Sequence, residues 1–199
     1  GMTHVVGPLG FTDMDPEGML TWGFDQLGTM ATIYNYDYYP KHMERLGGFE
    51  KDNDYVEFKL FVPKTVPEKY AKVASLIEKR YNLHVKKLTK REIFEEGYGR
   101  RIFEIINETF AGLYGYSELT DRQIEQYIGM YFPMADLDLI TLIEDWNADK
   151  KIVGVGITLP SLAKALQKCR RGRLTPFGWW HILRALKFGH TKIVDLLLV

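Results

Sequence analysis

Apolar positions along this chain switch between a period of two and a period of three to four, and the switches mark out its elements. The densest pattern is Leu137–Pro160, LDLITLIEDWNADKKIVGVGITLP. Leu139–Ile143 carries the β-branched and large apolar residues that suit a pleated, buried surface, and Ile152–Leu159 alternates bulky residues with Gly154 and Gly156. Asn147, Ala148 and Asp149 supply turn chemistry between them, which predicts an antiparallel hairpin. Glycines at alternate positions clear one face of the second strand, either as a packing or bulge device or to let another backbone or a ligand approach.

Read in order, residues 2–36 hold glycines and prolines without a sustained helical period, and predict a short strand at His4–Val6 followed by long loops. Tyr39–Leu46 is spaced as a short helix, with Pro40 in its first turn and Gly47–Gly48 at its end. DYVEFKLFV, residues 54–62, alternates as a strand, with Tyr55, Glu57, Lys59 and Phe61 on one side and Val56, Phe58, Leu60 and Val62 on the other. A helix over Glu68–Arg80 places Tyr70, Val73, Ala74, Ile77 and Tyr81 in one stripe and serves as a connector. Leu83–Leu88 predicts a strand, and Arg91–Leu113 a helix that Gly97 and Gly99 break or kink. Thr120-Asp121-Arg122-Gln123 has the form of a capping box, opening a helix with Ile124, Tyr127, Ile128 and Tyr131 inward and Pro133 at its end.

After the hairpin, Ser161 is placed to cap a helix whose Leu162, Ala165, Leu166 and Cys169 share a face. Lys168, Arg170, Arg171 and Arg173 gather at its end, either to complement the helix dipole or as a phosphate site. A helix over Trp179–Phe188 leads through Gly189 to a last strand, Lys192–Val199.

Composition narrows the function classes. At 199 residues the chain can build one large or two small domains with real cores. Its 26 basic and 26 acidic side chains cancel, which argues against a general nucleic-acid binder, including through the basic and aromatic string KCRRGRLTPFGWWH. Cys169 stands alone, so no internal disulfide forms and a reducing compartment fits. No apolar run approaches a bilayer span and no signal peptide is visible, so the expectation is a cytoplasmic protein without membrane partners. Gly1, ahead of Met2, reads as a tag remnant and is set aside. No Ser-His-Asp order, metal-ligand spacing, Walker string or dinucleotide fingerprint occurs, so no metal is expected.

The order strand, two helices, two antiparallel strands, helical excursion, strand resembles the GCN5-related N-acetyltransferase superfamily, in particular its large bacterial members with two such units. Residues 83–199 resemble the first half of one unit. Residues 2–62 resemble the second half of a preceding unit, through YYPKHMERLGGFEK, GPLGFTDMDPEGML, GFD and YNYDYY, with residues 63–82 connecting the two. The resemblance implies an α/β (α+β) fold, a mixed, mostly antiparallel sheet flanked by helices, incomplete or rearranged relative to the family.

By the same resemblance, acetyl-CoA or another acyl-CoA would be the cofactor and an amine the acceptor. The family's fourth strand holds the cofactor through its backbone, which here means the main chain of Leu196, Leu197 and Leu198. The family then places a Gln/Arg-x-x-Gly-x-Gly/Ala loop on the pyrophosphate. The chain stops at Val199, where that loop would begin, and the nearest string, Arg45-Leu46-Gly47-Gly48-Phe49-Glu50, reads as a helix C-cap. The expectation is therefore a protein incomplete as a catalyst in this form, or a noncatalytic binding module that keeps the fold.

Glu144 and Asp145, at a strand end, are candidates for proton acceptor or acceptor contact, against a reading as a solvated hairpin end. His181 and Tyr127 are weighed as titrating groups against simple burial. The apolar strand Ile193–Val199 presents an open edge, which predicts either a homo-oligomer joined through sheet edges or residues 2–62 folding back onto 83–199 to close the sheet within one molecule.

Overall fold

The structure is a computed structural model. It describes residues 1–12, 14–29, 31–133, 135–188 and 191–199, and the backbone but not the side chain of Arg171; Gly189, expected as a link before the last strand, lies outside these residues. In chain order the elements are α1 (Tyr38–Leu46), α2 (Glu68–Tyr81), β1 (Leu83–Lys86), α3 (Lys90–Phe94), α4 (Tyr98–Phe110), α5 (Asp121–Tyr131), β2 (Ile140–Asp145), β3 (Lys151–Pro160), α6 (Ala163–Lys168), α7 (Gly178–Lys187) and β4 (Val194–Leu198). The strands form one sheet in the order β1-β2-β3-β4, with β1, β2 and β3 antiparallel, so the α+β expectation holds.

The chain divides into two compact units that interleave along the sequence. One comprises Gly1–Val56, Gly112–Glu118 and Pro160–Asp195, and the other Glu57–Ala111, Leu119–Leu159 and Leu196–Val199.

In the second unit, local chemistry sets the helix boundaries. Gly97, at φ 80°, separates α3 from α4, so the expected long helix is two. Thr89 and Glu92 cap α3 reciprocally in a Thr-x-x-Glu capping box. Thr120 and Gln123 cap α5 in the same way, as expected. Gly99 lets α4 approach its neighbours: a Cβ there would stand 3.0 Å from the Ile93 carbonyl oxygen and 3.3 Å from Ile128 Cγ1. Asn107 pins the incoming chain by donating to the Leu119 carbonyl and accepting from its N–H, both at 2.9 Å.

Ile93, Ile102, Phe103, Ile106, Ile124, Ile128, Leu142 and Ile152 are all buried in this unit. On β2, Ile140, Leu142 and Glu144 are buried while Ile143 is exposed, the period of two that a half-covered sheet requires. Ile143 stands opposite Gly154 and Thr141 opposite Gly156, so the glycines lie on the opposite face from the buried row. An irregularity in the register follows between Ile143 and Glu144. α2 forms as expected and ends on Asn82 in the left-handed conformation, but its stripe of Tyr70, Val73, Ile77 and Tyr81 is exposed.

The first unit departs further from the reading along the chain. His4–Val6 forms no strand. α6 starts at Ala163 without a side-chain cap, and Ser161 is instead buried, donating its backbone N–H to the Ile193 carbonyl at 2.9 Å. Cys169 is buried, and its thiol donates to the carbonyls of Ala165 and Gly178, each at 3.3 Å. Lys168 closes α6 where the dipole favours a cation.

Residues 54–62 belong to no strand, and their apolar side chains are exposed on both sides. Alternation provides a strand's faces, but a strand also needs a ladder of bonds to a neighbouring strand, and the alternation alone does not supply one.

Candidate functional site

A buried carboxylate defines the candidate site in the second unit. Period-two alternation puts Glu144 in the row with Ile140 and Leu142, so its carboxylate is carried inward and is only 4% exposed. An unpaired charge there would be costly, and the fold supplies donors. Tyr98, the first residue of α4, donates its hydroxyl to Glu144 Oε1 at 2.7 Å, and Trp146 donates Nε1–H to Oε2 at 3.3 Å. A carboxylate has about four lone-pair positions, so each oxygen keeps capacity for another donor.

Around this pair the edge strand β1 adds His84 opposite Glu144 and Lys86 opposite Leu142. His84 stacks on Trp146 with ring centroids 4.0 Å apart, and one of its ring nitrogens lies 3.1 Å from Asn82 Oδ1. Asn82 in turn donates to Asn147 Oδ1 at 3.0 Å, and Asn147 donates to the Tyr81 carbonyl at 3.1 Å. The end of α2 is thus tied to the turn between β2 and β3.

Cations approach the cluster from two elements. Lys86 lies 5.0 Å from the Tyr98 ring centre and Arg101 lies 4.6 Å from it, within cation–π range. Lys86 also bonds Glu92 Oε1 at 2.5 Å, and Arg101 donates to the Lys150 carbonyl at 2.5 Å. Burial, and then the Glu144 carboxylate it bonds, raise the Tyr98 phenol above its ordinary value, so it stays a donor at neutral pH. The bond to Lys86, with those from Thr89, lowers Glu92 to about 2, and Lys86 itself is raised, chiefly by Glu92.

The residues singled out from the sequence are dispersed. Glu144 is no solvated hairpin end, whereas Asp145 accepts from the Asn147 N–H at 2.8 Å and shapes the turn. Leu196, Leu197 and Leu198 lie on β4, separated from β2 by β3, about 10 Å away at the usual strand spacing. Tyr127 packs its ring 6.0 Å from Phe103 and 5.7 Å from Tyr131, as an inward-facing aromatic does. His181 is half-buried on α7 in the other unit. Tyr98, His84, Lys86 and Trp146 went unnoticed. Glu144 carried the available signal, since a carboxylate two residues after a buried leucine on a strand must find partners.

Comparisons with known proteins add one relative. The chain is 25% identical over 203 residues to a protein of Caulobacter vibrioides (strain NA1000 / CB15N) named bacterial ceramide synthase, across 96% of this chain and 48% of that protein. The chain therefore spans about half the length of that relative. No family model matches, and no solved structure matches significantly. Among the described residues no helix is long and apolar enough to cross a membrane, and no group of three or more His, Cys, Asp or Glu is placed to hold a metal ion.

Proposed function

We propose that the chain belongs to an N-acyltransferase that moves an acyl group from a thioester of the acyl-CoA type to an amine, with Glu144 as proton acceptor. The observation that carries this reading is a carboxylate buried beside two neutral donors on an inner strand of the sheet. The relative's name supports it, since a ceramide is an amide of a fatty acid and a long-chain amine. So does the fold class, a mostly antiparallel sheet with helices, which is the one expected from the resemblance to GCN5-related N-acetyltransferases, with three helices between β1 and β2 in place of the expected two.

In such a transfer the amine nitrogen attacks the thioester carbonyl, a C–N bond forms and the C–S bond breaks. Glu144 takes the proton that the nitrogen loses, and the thiolate leaves with a proton from solvent. Tyr98 and Trp146 hold the carboxylate in place, while Arg101 and Lys86, the latter paired with Glu92, stack on the Tyr98 ring. The main chain of Leu196–Leu198, two strands away, is assigned to orienting the acyl donor.

A second reading is a noncatalytic module in which the cluster only joins α4 to the sheet. Engagement of both Glu144 oxygens by protein donors favours it. The test is amide formation from a long-chain acyl-CoA and a long-chain amine, with Glu144→Gln as the comparison. The acyltransfer reading expects a loss of about 10²-fold or more in kcat/KM, as for removal of a general base, measured at a temperature where circular dichroism shows the variant fully folded. A Glu144→Gln protein that keeps the parent's rate contradicts it.

A further inference from the structure

Residues 160–194, in the first unit, carry eight Lys or Arg and no Asp or Glu, although the chain as a whole is neutral. The same stretch holds Phe177, Trp179, Trp180 and Phe188, all of them exposed. A basic face kept only for solubility has no use for large aromatic side chains in water.

The period of α7 sorts these residues. At about 100° per residue, Trp180, Arg184, Lys187 and Phe188 fall within one arc of about 100°, and all four are exposed. The Trp180 and Phe188 ring centroids lie 6.0 Å apart, so the two rings share that face. Ile182, Leu183, Ala185 and Leu186, on the other sides of the helix, are half-buried. Arg184 and Lys187 join no ion pair among the described residues. The indole N–H of Trp180 meets no acceptor among them either, whereas Trp179 donates its own to the Pro176 carbonyl at 3.0 Å. Lys164, Lys168, Arg170 and Arg173, on α6 and in the chain between α6 and α7, add exposed positive charge.

We propose that this face of α7, with the basic chain before it, attaches the protein to the surface of a membrane rich in anionic phospholipid. Aromatic rings with a polar tip and cations on long apolar stems favour the headgroup boundary, where the rings leave water and the charges meet lipid phosphates. The helix lies in the plane of that surface. Attachment of this kind needs no spanning run, so the expected lack of a membrane partner, which came from the lack of such a run, does not bear on it. Single-stranded nucleic acid also answers to basic and aromatic residues but fits less well. It stacks successive bases on ring faces, and here Trp179 and Trp180 stand at 78° to each other and Trp180 and Phe188 at 48°.

Co-sedimentation of the whole chain with vesicles tests the proposal. Vesicles of phosphatidylglycerol and phosphatidylcholine in equal parts should bind the chain at low salt and release it as salt rises, and vesicles of phosphatidylcholine alone should bind it about tenfold less or weaker. Each cation near the surface is worth roughly fivefold in partitioning, so Arg184→Gln/Lys187→Gln should bind about 25-fold less. Lys69→Gln/Lys79→Gln, which removes the same charge from exposed positions on α2, should bind as the parent does. Trp180→Ser should weaken binding about tenfold through lost apolar burial, with circular dichroism confirming that each variant is folded.

Three results would overturn the proposal: no binding to the anionic vesicles, equal binding to both kinds of vesicle, or equal losses from the two double variants. A single-stranded thymidine oligonucleotide that binds where the vesicles do not would also overturn it, and would assign the face to nucleic acid.

Discussion

The two units of this chain contain similar amounts of apolar sequence and treat it differently. Of the buried apolar side chains, all but Ala165 and Cys169 lie in the second unit, where α4 and α5 bury the face of isoleucines that their spacing sets apart. In the first unit Phe11, Trp22, Tyr36, Trp179 and Trp180 are all exposed by more than two-fifths. The difference teaches that period alone is half of a fold. An amphipathic pattern becomes a core only where the chain supplies a second surface of matching period, and the cluster around Glu144 forms where such surfaces meet.

The comparison breaks most sharply under core truncation. Leu142 is fully buried in the second unit, and Leu142→Ala should cost about 2–5 kcal/mol. Leu166→Ala, at a residue 40% exposed in the first unit, should cost well under half of that in the same denaturant titration. Comparable losses would mean that the first unit has a core of its own.

Next in size is Gly178, where a Cβ would lie 2.2 Å from the Arg173 carbonyl oxygen. Gly178→Ala should cost about 1–3 kcal/mol. Hydrogen exchange should rise around α6 and α7 and leave α4 unchanged. Uniform loss of protection would show that the units open together.

A smaller effect sharpens the electrostatics of the site. Glu92 is held at about 2, below its ordinary 4.5, so its contribution is fully present above pH 4.5 and is lost as pH falls toward 2. Lys86 is raised, so its contribution is present below its ordinary 10.5 and is lost only in alkali. Within this pair the acid limb belongs to Glu92, and Glu92→Gln should flatten the slope of stability between pH 4.5 and 2. A slope equal to the parent's would remove Glu92 from this role.

The smallest expected change lies on the outer face of the sheet. A Cβ at Gly154 meets the end of the Ile143 side chain at 3.3 Å, a contact that a flexible side chain relieves by moving a few tenths of an ångström. Gly154→Val should therefore lower the melting temperature slightly more than Lys150→Ala, which removes a cation 5.4 Å from the Trp146 ring and should fall within about 0.5 kcal/mol.

What the sequence made legible was local. The hairpin, α1, α2 and the capping box at Thr120 follow from turn residues, caps and periods within a dozen positions of one another. Ser161 looked like a cap because capping chemistry is local, but a backbone bond to Ile193, thirty-two positions on, claimed it. The candidate site was half legible. Alternation along Ile140, Leu142 and Glu144 sends the carboxylate inward, yet Tyr98 stands forty-six positions away, and nothing in the neighbourhood of either residue names the other. Residues 54–62 show the converse, a strand's alternation that forms no strand.

The central claim is that Glu144 and Tyr98 are kept for chemistry rather than for stability, and the double variant Tyr98→Phe/Glu144→Met measures it directly. Replacing both members of a buried hydrogen-bonded pair by apolar groups of similar shape is close to neutral for folding, and the half-exposed Trp146 can turn its N–H to water. The account predicts a melting temperature at or above the parent's, together with amide formation from long-chain acyl-CoA and amine reduced by about 10²-fold or more. A clearly lower melting temperature with the rate unchanged would contradict it, and would make the cluster a structural bond between α4 and the sheet.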